Sequence, residues 1–119
     1  MKIVEIILEG TDPTQQDIQS VSEWMNTTVD QLQINIVQEP IEKFIKQINE
    51  MYDTYDEFPE DARRTRKILT ALKHGEKALP IYVAENDPHL FVMEGRHRMV
   101  AFMLARMNTI PVAYVRVKE

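Results

Sequence analysis

One glycine, Gly95, lies where the chain changes from a strand pattern to a helix pattern. Residues 89–93 before it form a short apolar run typical of a strand, and Val100, Met103 and Leu104 after it recur at the spacing of one helix face. The first turn of a helix leaves unpaired backbone amides, which together with the helix dipole attract anions. Because glycine has no Cβ, an anion can approach the backbone closely. The sequence therefore predicts a strand–turn–helix anion site.

Charged side chains flank this glycine on both sides. Arg96 and Arg98 carry guanidinium groups that match phosphate geometry, and His97 between them is a further donor. Glu94 is the only carboxylate beside the motif, which makes it the candidate catalytic residue and the candidate Mg2+ ligand. The alternative is structural: the arginines would pair with Glu94 or with the acidic amino-terminal half, and His97 would be an ordinary helix residue.

Strand and helix patterns alternate along the rest of the chain and predict an α+β fold with a small mixed sheet and packed helices. Strands are predicted at 1–8, 32–36, 79–83, 89–93 and 110–117, the third and fourth joined as a hairpin through 85–88. Four helices are predicted. The first is capped by Asp12 and has Pro13 as its first residue, and the second runs from Pro40 to Tyr52. The third runs from Pro59 to His74 with Gly75 as its C-cap, and the fourth from Arg96 to Met107. Trp24 and Phe102 are predicted core residues, and Tyr82 or Tyr114 would contact a base only if a groove lies beside their strands.

Length and composition limit the classes of protein to consider. With 119 residues, 44% hydrophobic and 28% charged, the chain should fold as one domain spanning 1–119. It has no cysteine, which excludes disulfides and thiol chemistry, and its three histidines are not spaced like zinc ligands. No apolar run approaches the roughly 20 residues that cross a bilayer, and the amino terminus does not resemble a signal peptide. We therefore expect a cytoplasmic protein without membrane association.

Charge is divided unevenly between the two halves. Residues 1–60 hold 13 acids and 3 bases, and residues 61–119 hold 6 acids and 11 bases, giving −10 and +5. The acidic half could bind a basic protein partner or mimic DNA, or the two halves could complement each other within the fold.

Two local charge clusters allow both functional and structural interpretations. A basic group in the third predicted helix could extend a phosphate or nucleic-acid surface, although a solvated helix face is favoured: Arg63, Arg64, Arg66 and Lys67. An acidic group before that helix could bind magnesium or a basic partner, although a solvated loop is favoured: Asp53, Asp56, Glu57, Glu60 and Asp61.

The order of motifs in the carboxy-terminal half resembles the core of the ParB/sulfiredoxin superfamily. Residues 79–83 read Leu-Pro-Ile-Tyr-Val, residues 91–98 read Phe-Val-Met-Glu-Gly-Arg-His-Arg, and residues 110–112 read Ile-Pro-Val. Domains of that superfamily typically show a helix ending in Gly, Pro-Ile-x-Val, a short hairpin, a Gly/Arg motif, a helix and Ile-Pro-Val. The resemblance covers about residues 62–117, with 1–60 as an acidic extension packed on that core.

This resemblance implies a nucleotide-binding domain. Gly95 and Arg98 match the superfamily's phosphate-binding glycine and arginine. Sulfiredoxins have Gly-Cys-His-Arg, and this chain has Arg96 in place of the cysteine, so sulfinic-acid reduction is excluded while His97 matches. Glu94 stands where members resembling the free-serine kinase carry an acid. The implied ligand is a nucleoside triphosphate, ATP or CTP, with Mg2+ near Glu94, and hydrolysis or phosphotransfer as open possibilities.

Two other functions remain open at this point. ParB-like domains are often associated with DNA transactions, so a DNA-binding or nuclease-type protein is possible, but the net charge of −5 and the lack of a helix-turn-helix pattern do not favour nucleic acid. A non-catalytic interaction module would use the acidic half against a protein partner.

Overall fold

A computed structural model describes the backbone of residues 5–7 and the whole of residues 14–118. The elements in chain order are β1 (Glu5–Ile7), α1 (Gln15–Trp24), β2 (Leu32–Pro40), α2 (Ile45–Tyr52), α3 (Pro59–Lys73), β3 (Ile81–Ala84), β4 (Val92–Glu94), α4 (Arg96–Leu104) and β5 (Thr109–Val117). Short 3₁₀ turns cover Val29–Gln31 and Ile41–Phe44. Of the helices between residues 14 and 118, none combines the length and the hydropathy needed to cross a bilayer.

The strands form one mixed sheet in the order β1-β2-β5-β3-β4. Its centre is the long antiparallel pair of β2 and β5, which starts at Leu32 opposite Val117 and ends at Pro40 opposite Thr109. β1 adds to β2 and β3 adds to β5 in parallel, and β4 closes a hairpin with β3. The predicted α+β class and mixed sheet are therefore confirmed, as is the antiparallel pairing of the third and fourth strands, although the fourth begins at Val92 and not at residue 89.

The core lies on both faces of the sheet because the strands alternate. Ile81 and Val83 of β3 point to the face covered by α2, α3 and α4, where they join Phe102 in one buried cluster. Tyr82 between them points to the opposite face, where it joins Val21 of α1 in a second cluster. Phe102 is fully buried, as predicted, but Tyr82 is buried too and so cannot contact a base.

The prediction that Trp24 is a core residue is wrong. Its side chain is 56% exposed, because it is the last residue of α1 and lies beyond the buried part of that helix. The indole meets the ring of Phe91 edge-on, with the ring centroids 5.7 Å apart. Phe91 is also exposed, so the two rings form a small aromatic surface beside the start of β4.

Several predicted boundaries also shift. α1 begins at Gln15, where the hydroxyl of Thr14 accepts a hydrogen bond from the Asp17 amide, and the predicted cap Asp12 with Pro13 lies outside the described residues. Pro40 is the last residue of β2, because pairing with β5 continues to it, and it also caps the 3₁₀ turn Ile41–Phe44, so the α-helix itself begins later than predicted, at Ile45. α4 stops at Leu104, three residues before its predicted end at Met107.

One side chain covers part of the exposed edge of the hairpin. The amide of Gln47 in α2 donates to the carbonyl of Leu90 at 2.7 Å, and its oxygen accepts from the amide of Val92 at 3.1 Å. Because β4 is the last strand on its side of the described sheet, these contacts satisfy backbone groups at that edge.

Candidate functional site

Gly95 has two structural reasons to be glycine. Its φ of +93° lies in the left-handed region that other residues rarely adopt. A Cβ at this position would lie 3.1 Å from both the Cα and the Cγ2 of Ile81, which is closer than such contacts normally come. The glycine therefore lets the chain turn sharply from β4 into α4 while packing directly on β3.

The first turn of α4 is open and carries no compensating acid. Gly95 precedes it without any side-chain cap, and no acidic residue lies in the turn. The side chain of Arg96, the first residue of α4, is exposed and makes no hydrogen bond or ion pair with the other residues that the structure describes. Unpaired amides, the helix dipole and one free guanidinium thus coincide at this end of α4.

Arg98 is held by a buried partner. Its guanidinium donates to both carboxylate oxygens of Asp17 in α1, at 2.8 and 2.9 Å, and to the carbonyl of Pro80 at 3.0 Å. Tyr82 donates its hydroxyl to the same carboxylate at 3.2 Å. Asp17 is only 3% exposed, so Arg98 ties α1 and the start of β3 to α4. The contacts of Arg98 are therefore those of the structural alternative, in which the arginine pairs with the acidic amino-terminal half of the chain.

His97 is held in a similar way, by the acid at the start of α3. Its Nε2 lies 2.9 Å from a carboxylate oxygen of Asp61. The two partners are partly buried, and the contact fixes the first turn of α4 against α3. His97 and Arg98 are therefore both anchored, and of the three basic residues in the motif only Arg96 extends freely.

Glu94 occupies a partly buried position that disfavours its charged form. Burial raises the pKa of the Glu94 carboxyl above its usual value, and the negative charge of Asp17 raises it further. The charges of Arg98 and His97, with a hydrogen bond from Ser20, oppose this shift without cancelling it. A group at this position holds a proton more readily than an ordinary glutamate.

The five predicted site residues surround one shallow cavity of about 240 Å3. Its lining is completed by one side chain from α3 and one from β4, and the full set is Ile68, Met93, Glu94, Gly95, Arg96, His97 and Arg98. Within residues 14–118 there is no group of three or more histidine, aspartate or glutamate side chains arranged to hold a metal ion. Mg2+ at Glu94 would therefore need most of its oxygen ligands from a bound molecule or water.

Asp17 is a site residue that the sequence interpretation missed, and Asp61 was named there only within an acidic group interpreted as a solvated loop. Asp17 shares the buried face of α1 with Val21, one turn later. A carboxylate on an apolar helix face needs a buried partner, and that pattern is the signal that could have identified it. Asp61 lies among several acids at the start of α3, and no sequence pattern separates it from its neighbours.

The basic cluster of α3 is a solvated helix face. All four residues, Arg63, Arg64, Arg66 and Lys67, are exposed. Arg63 and Arg64 pair with Glu60 one turn earlier, at 2.5 and 3.4 Å. These contacts favour the structural interpretation of the cluster.

No family model matches the chain, and comparison with curated proteins and with solved structures likewise finds no match. The resemblance to the ParB/sulfiredoxin superfamily therefore stays a prediction from the motifs.

Proposed function

We propose that the N-terminus of α4 binds the phosphate groups of a nucleoside triphosphate, within a ParB/sulfiredoxin-like core. The observation that carries the proposal is the open first turn of α4, which has no cap, no acid and one free guanidinium beside a cavity. The succession of α3, β3, β4, α4 and β5 supports it, because it is the order of elements on which the resemblance rests.

Each residue of the motif has a different part in this proposal. The backbone amides of Arg96 and His97 would meet phosphate oxygens, and the Arg96 side chain would add a mobile positive charge. Gly95 shapes the turn. Arg98 has donors left beyond those used by Asp17 and Pro80, but its first role is to hold the turn in place.

The size of the cavity limits what it can enclose. At about 240 Å3 it is smaller than the roughly 300–1,000 Å3 of typical small-molecule sites, so it would take phosphate groups and leave the sugar and base outside. Mg2+ usually binds one or two carboxylates together with phosphate oxygens, which fits a single residue, Glu94, as the protein ligand. The raised pKa of Glu94 also suits a group that moves a proton in hydrolysis or phosphotransfer. The expected cytoplasmic location would supply such nucleotides.

Thermal unfolding with nucleotides tests this proposal. ATP, CTP, GTP and ADP, each with MgCl2, would be added to the wild type and to Arg96→Ala and Lys46→Ala. Lys46 is an exposed base on α2, so Lys46→Ala is a control of equal charge. A nucleotide at 100 times its Kd should add about 2.7 kcal/mol to the stability of the wild type. Arg96→Ala should lose most of that gain, and the control should keep it.

Failure would be equally clear. If none of the four nucleotides raised the unfolding temperature, or if both variants responded alike, the site assignment would be wrong. Arg98→Ala is unsuitable for this experiment because it removes the partner of a buried carboxylate.

The second candidate is a protein-interaction module, and the exposed pair of Trp24 and Phe91 favours it over a nucleic-acid function. It predicts no stabilisation by any nucleotide. A DNA-binding or nuclease function would instead show DNA affinity that falls steeply with added salt.

A further inference from the structure

Another cavity, of about 520 Å3, lies between α3, the end of α4 and the segment that joins α2 to α3. Its volume falls within the roughly 300–1,000 Å3 of small-molecule sites. The lining combines aromatic, acidic and apolar side chains with one threonine and one arginine: Tyr52, Asp53, Tyr55, Asp56, Ala62, Thr65, Arg66, Leu69 and Leu104. None of these residues belongs to the site around Gly95.

Two tyrosines form an aromatic wall of this cavity. The rings of Tyr52 and Tyr55 meet edge-on, with centroids 5.5 Å apart and an interplanar angle of 78°. Tyr55 is buried, and its hydroxyl shares a 2.5 Å hydrogen bond with the hydroxyl of Thr65. Tyr52 is 43% exposed, so its ring remains accessible. The face of an aromatic ring is negative and attracts cations.

Two carboxylates line the same cavity without partners of their own. Asp53 and Asp56 are exposed, and neither makes a hydrogen bond through its carboxylate or an ion pair with the residues that the structure describes. The neighbouring acids differ, since Glu60 pairs with Arg63 and Asp61 with His97. Arg66 is the only base in the lining, so the lining carries one more negative than positive charge.

We propose that this cavity binds an organic cation, an ammonium or guanidinium group on an apolar stem. The charged group would lie over the ring of Tyr52 and beside Asp53 and Asp56, and the stem would contact Leu69 and Leu104. Two sources have this chemistry: a free small cation, and a lysine or arginine side chain of a basic protein partner. The proposal does not depend on nucleotide binding at α4.

Titrations followed by proton–nitrogen correlation NMR on the full chain would test the site. Choline chloride is the first probe, with sodium chloride as the salt control. Dimethylbutanol, in which a carbon replaces the choline nitrogen, is the neutral control of the same shape. N-acetylarginine amide is the second cationic probe. We expect saturable shifts at the amides of residues 52–56 and 65–69 with at least one cation, and none with dimethylbutanol.

Variants locate the interaction. Tyr52→Leu and the double change Asp53→Asn with Asp56→Asn should each weaken cation binding by roughly 2- to 30-fold. Glu23→Gln removes an exposed acid of α1, on the other face of the sheet, and should leave binding unchanged. All three positions in the cavity are exposed, and unchanged spectra outside it would verify that the variants are folded.

The relative affinities of the two cations distinguish the two sources of the ligand. Tighter binding of choline would indicate a free ammonium compound, and tighter binding of acetylarginine amide would indicate a partner's side chain. Shifts from dimethylbutanol equal to those from choline, no saturable shift with either cation, or wild-type affinity in Tyr52→Leu would overturn the proposal.

Discussion

Replacing Arg98 by methionine should destabilise the fold more than any other single change at the candidate site. Methionine keeps an apolar stem but removes the three hydrogen bonds that the guanidinium donates to Asp17 and Pro80. The Asp17 side chain, only 5% exposed, would keep a single partner, the hydroxyl of Tyr82. Leaving a buried carboxylate without its cation costs about 3–5 kcal/mol. Domains of this kind are stable by only about 5–15 kcal/mol, so the loss is a large fraction.

Removing the charge of Asp17 instead of that of Arg98 should cost less stability. Asp17→Asn leaves Arg98 without its carboxylate, but the guanidinium still donates to Pro80, and the side chain is 17% exposed and so reaches water. The double variant removes both charges, so it should be more stable than the sum of the single changes predicts, by about 0.5–3 kcal/mol. Urea unfolding of the four proteins, followed by circular dichroism, measures all three quantities.

Two results would refute this reasoning. A cost below about 1 kcal/mol for Arg98→Met would mean that the ion pair does not hold α1 against α4. Strict additivity in the double variant would mean that the two side chains do not interact. In the first case, nucleotide binding by Arg98→Ala would become a usable test of the site at α4.

Three further predictions concern single residues. Gly95→Ala should destabilise the protein by about 1–3 kcal/mol more than Gly75→Ala in urea unfolding. Both glycines have positive φ, at +93° and +85°, but only the first would place a Cβ against a neighbour. Glu94→Gln should be more stable than the wild type near pH 7, and urea titrations at several pH values should show this difference shrinking as the pH falls toward 4.5 and disappearing below it. Burial, and then Asp17, raise the folded-state pKa of Glu94, so its ionisation costs stability as the pH rises above the unfolded value of 4.5. Phe91→Ala should shift the fluorescence of Trp24, the only tryptophan, to longer wavelength because the indole loses its ring contact, and an unchanged spectrum would contradict that contact.

Local patterns predicted the fold well where the determining residues are close in sequence. Pro59 begins α3, and Gly75 takes its left-handed conformation just after it, as the capping pattern indicates. The alternation of apolar and polar residues along β2 also predicted that strand. Its end at Pro40 was not predicted, because β5, the strand that pairs with it there, lies about 70 residues away in the sequence. The prediction that Trp24 is buried was wrong for a related reason. A stripe of apolar residues shows which face of a helix is buried, but not where the sheet beneath that helix ends.

The candidate site was predicted only in its local part. Glu94 and the four residues after it surround one cavity because a single turn places them together. Their partners come from other elements, since Asp17 is 81 positions from Arg98 and Asp61 is 36 positions from His97. Such pairs depend on how the helices pack on the sheet, and no short sequence pattern records them.

The contact between Gln47 and the edge of the hairpin has a consequence for how copies of this protein meet. A carboxamide has the same donor and acceptor as a peptide group, so Gln47 takes the place of one peptide unit of an additional strand. A second molecule extending the sheet from β4 would first have to displace it from Leu90 and Val92. Sheet edges left unpaired are where chains add to one another and form fibrils. Gln47 thus blocks two of the backbone groups that an added strand would need on this side of the sheet.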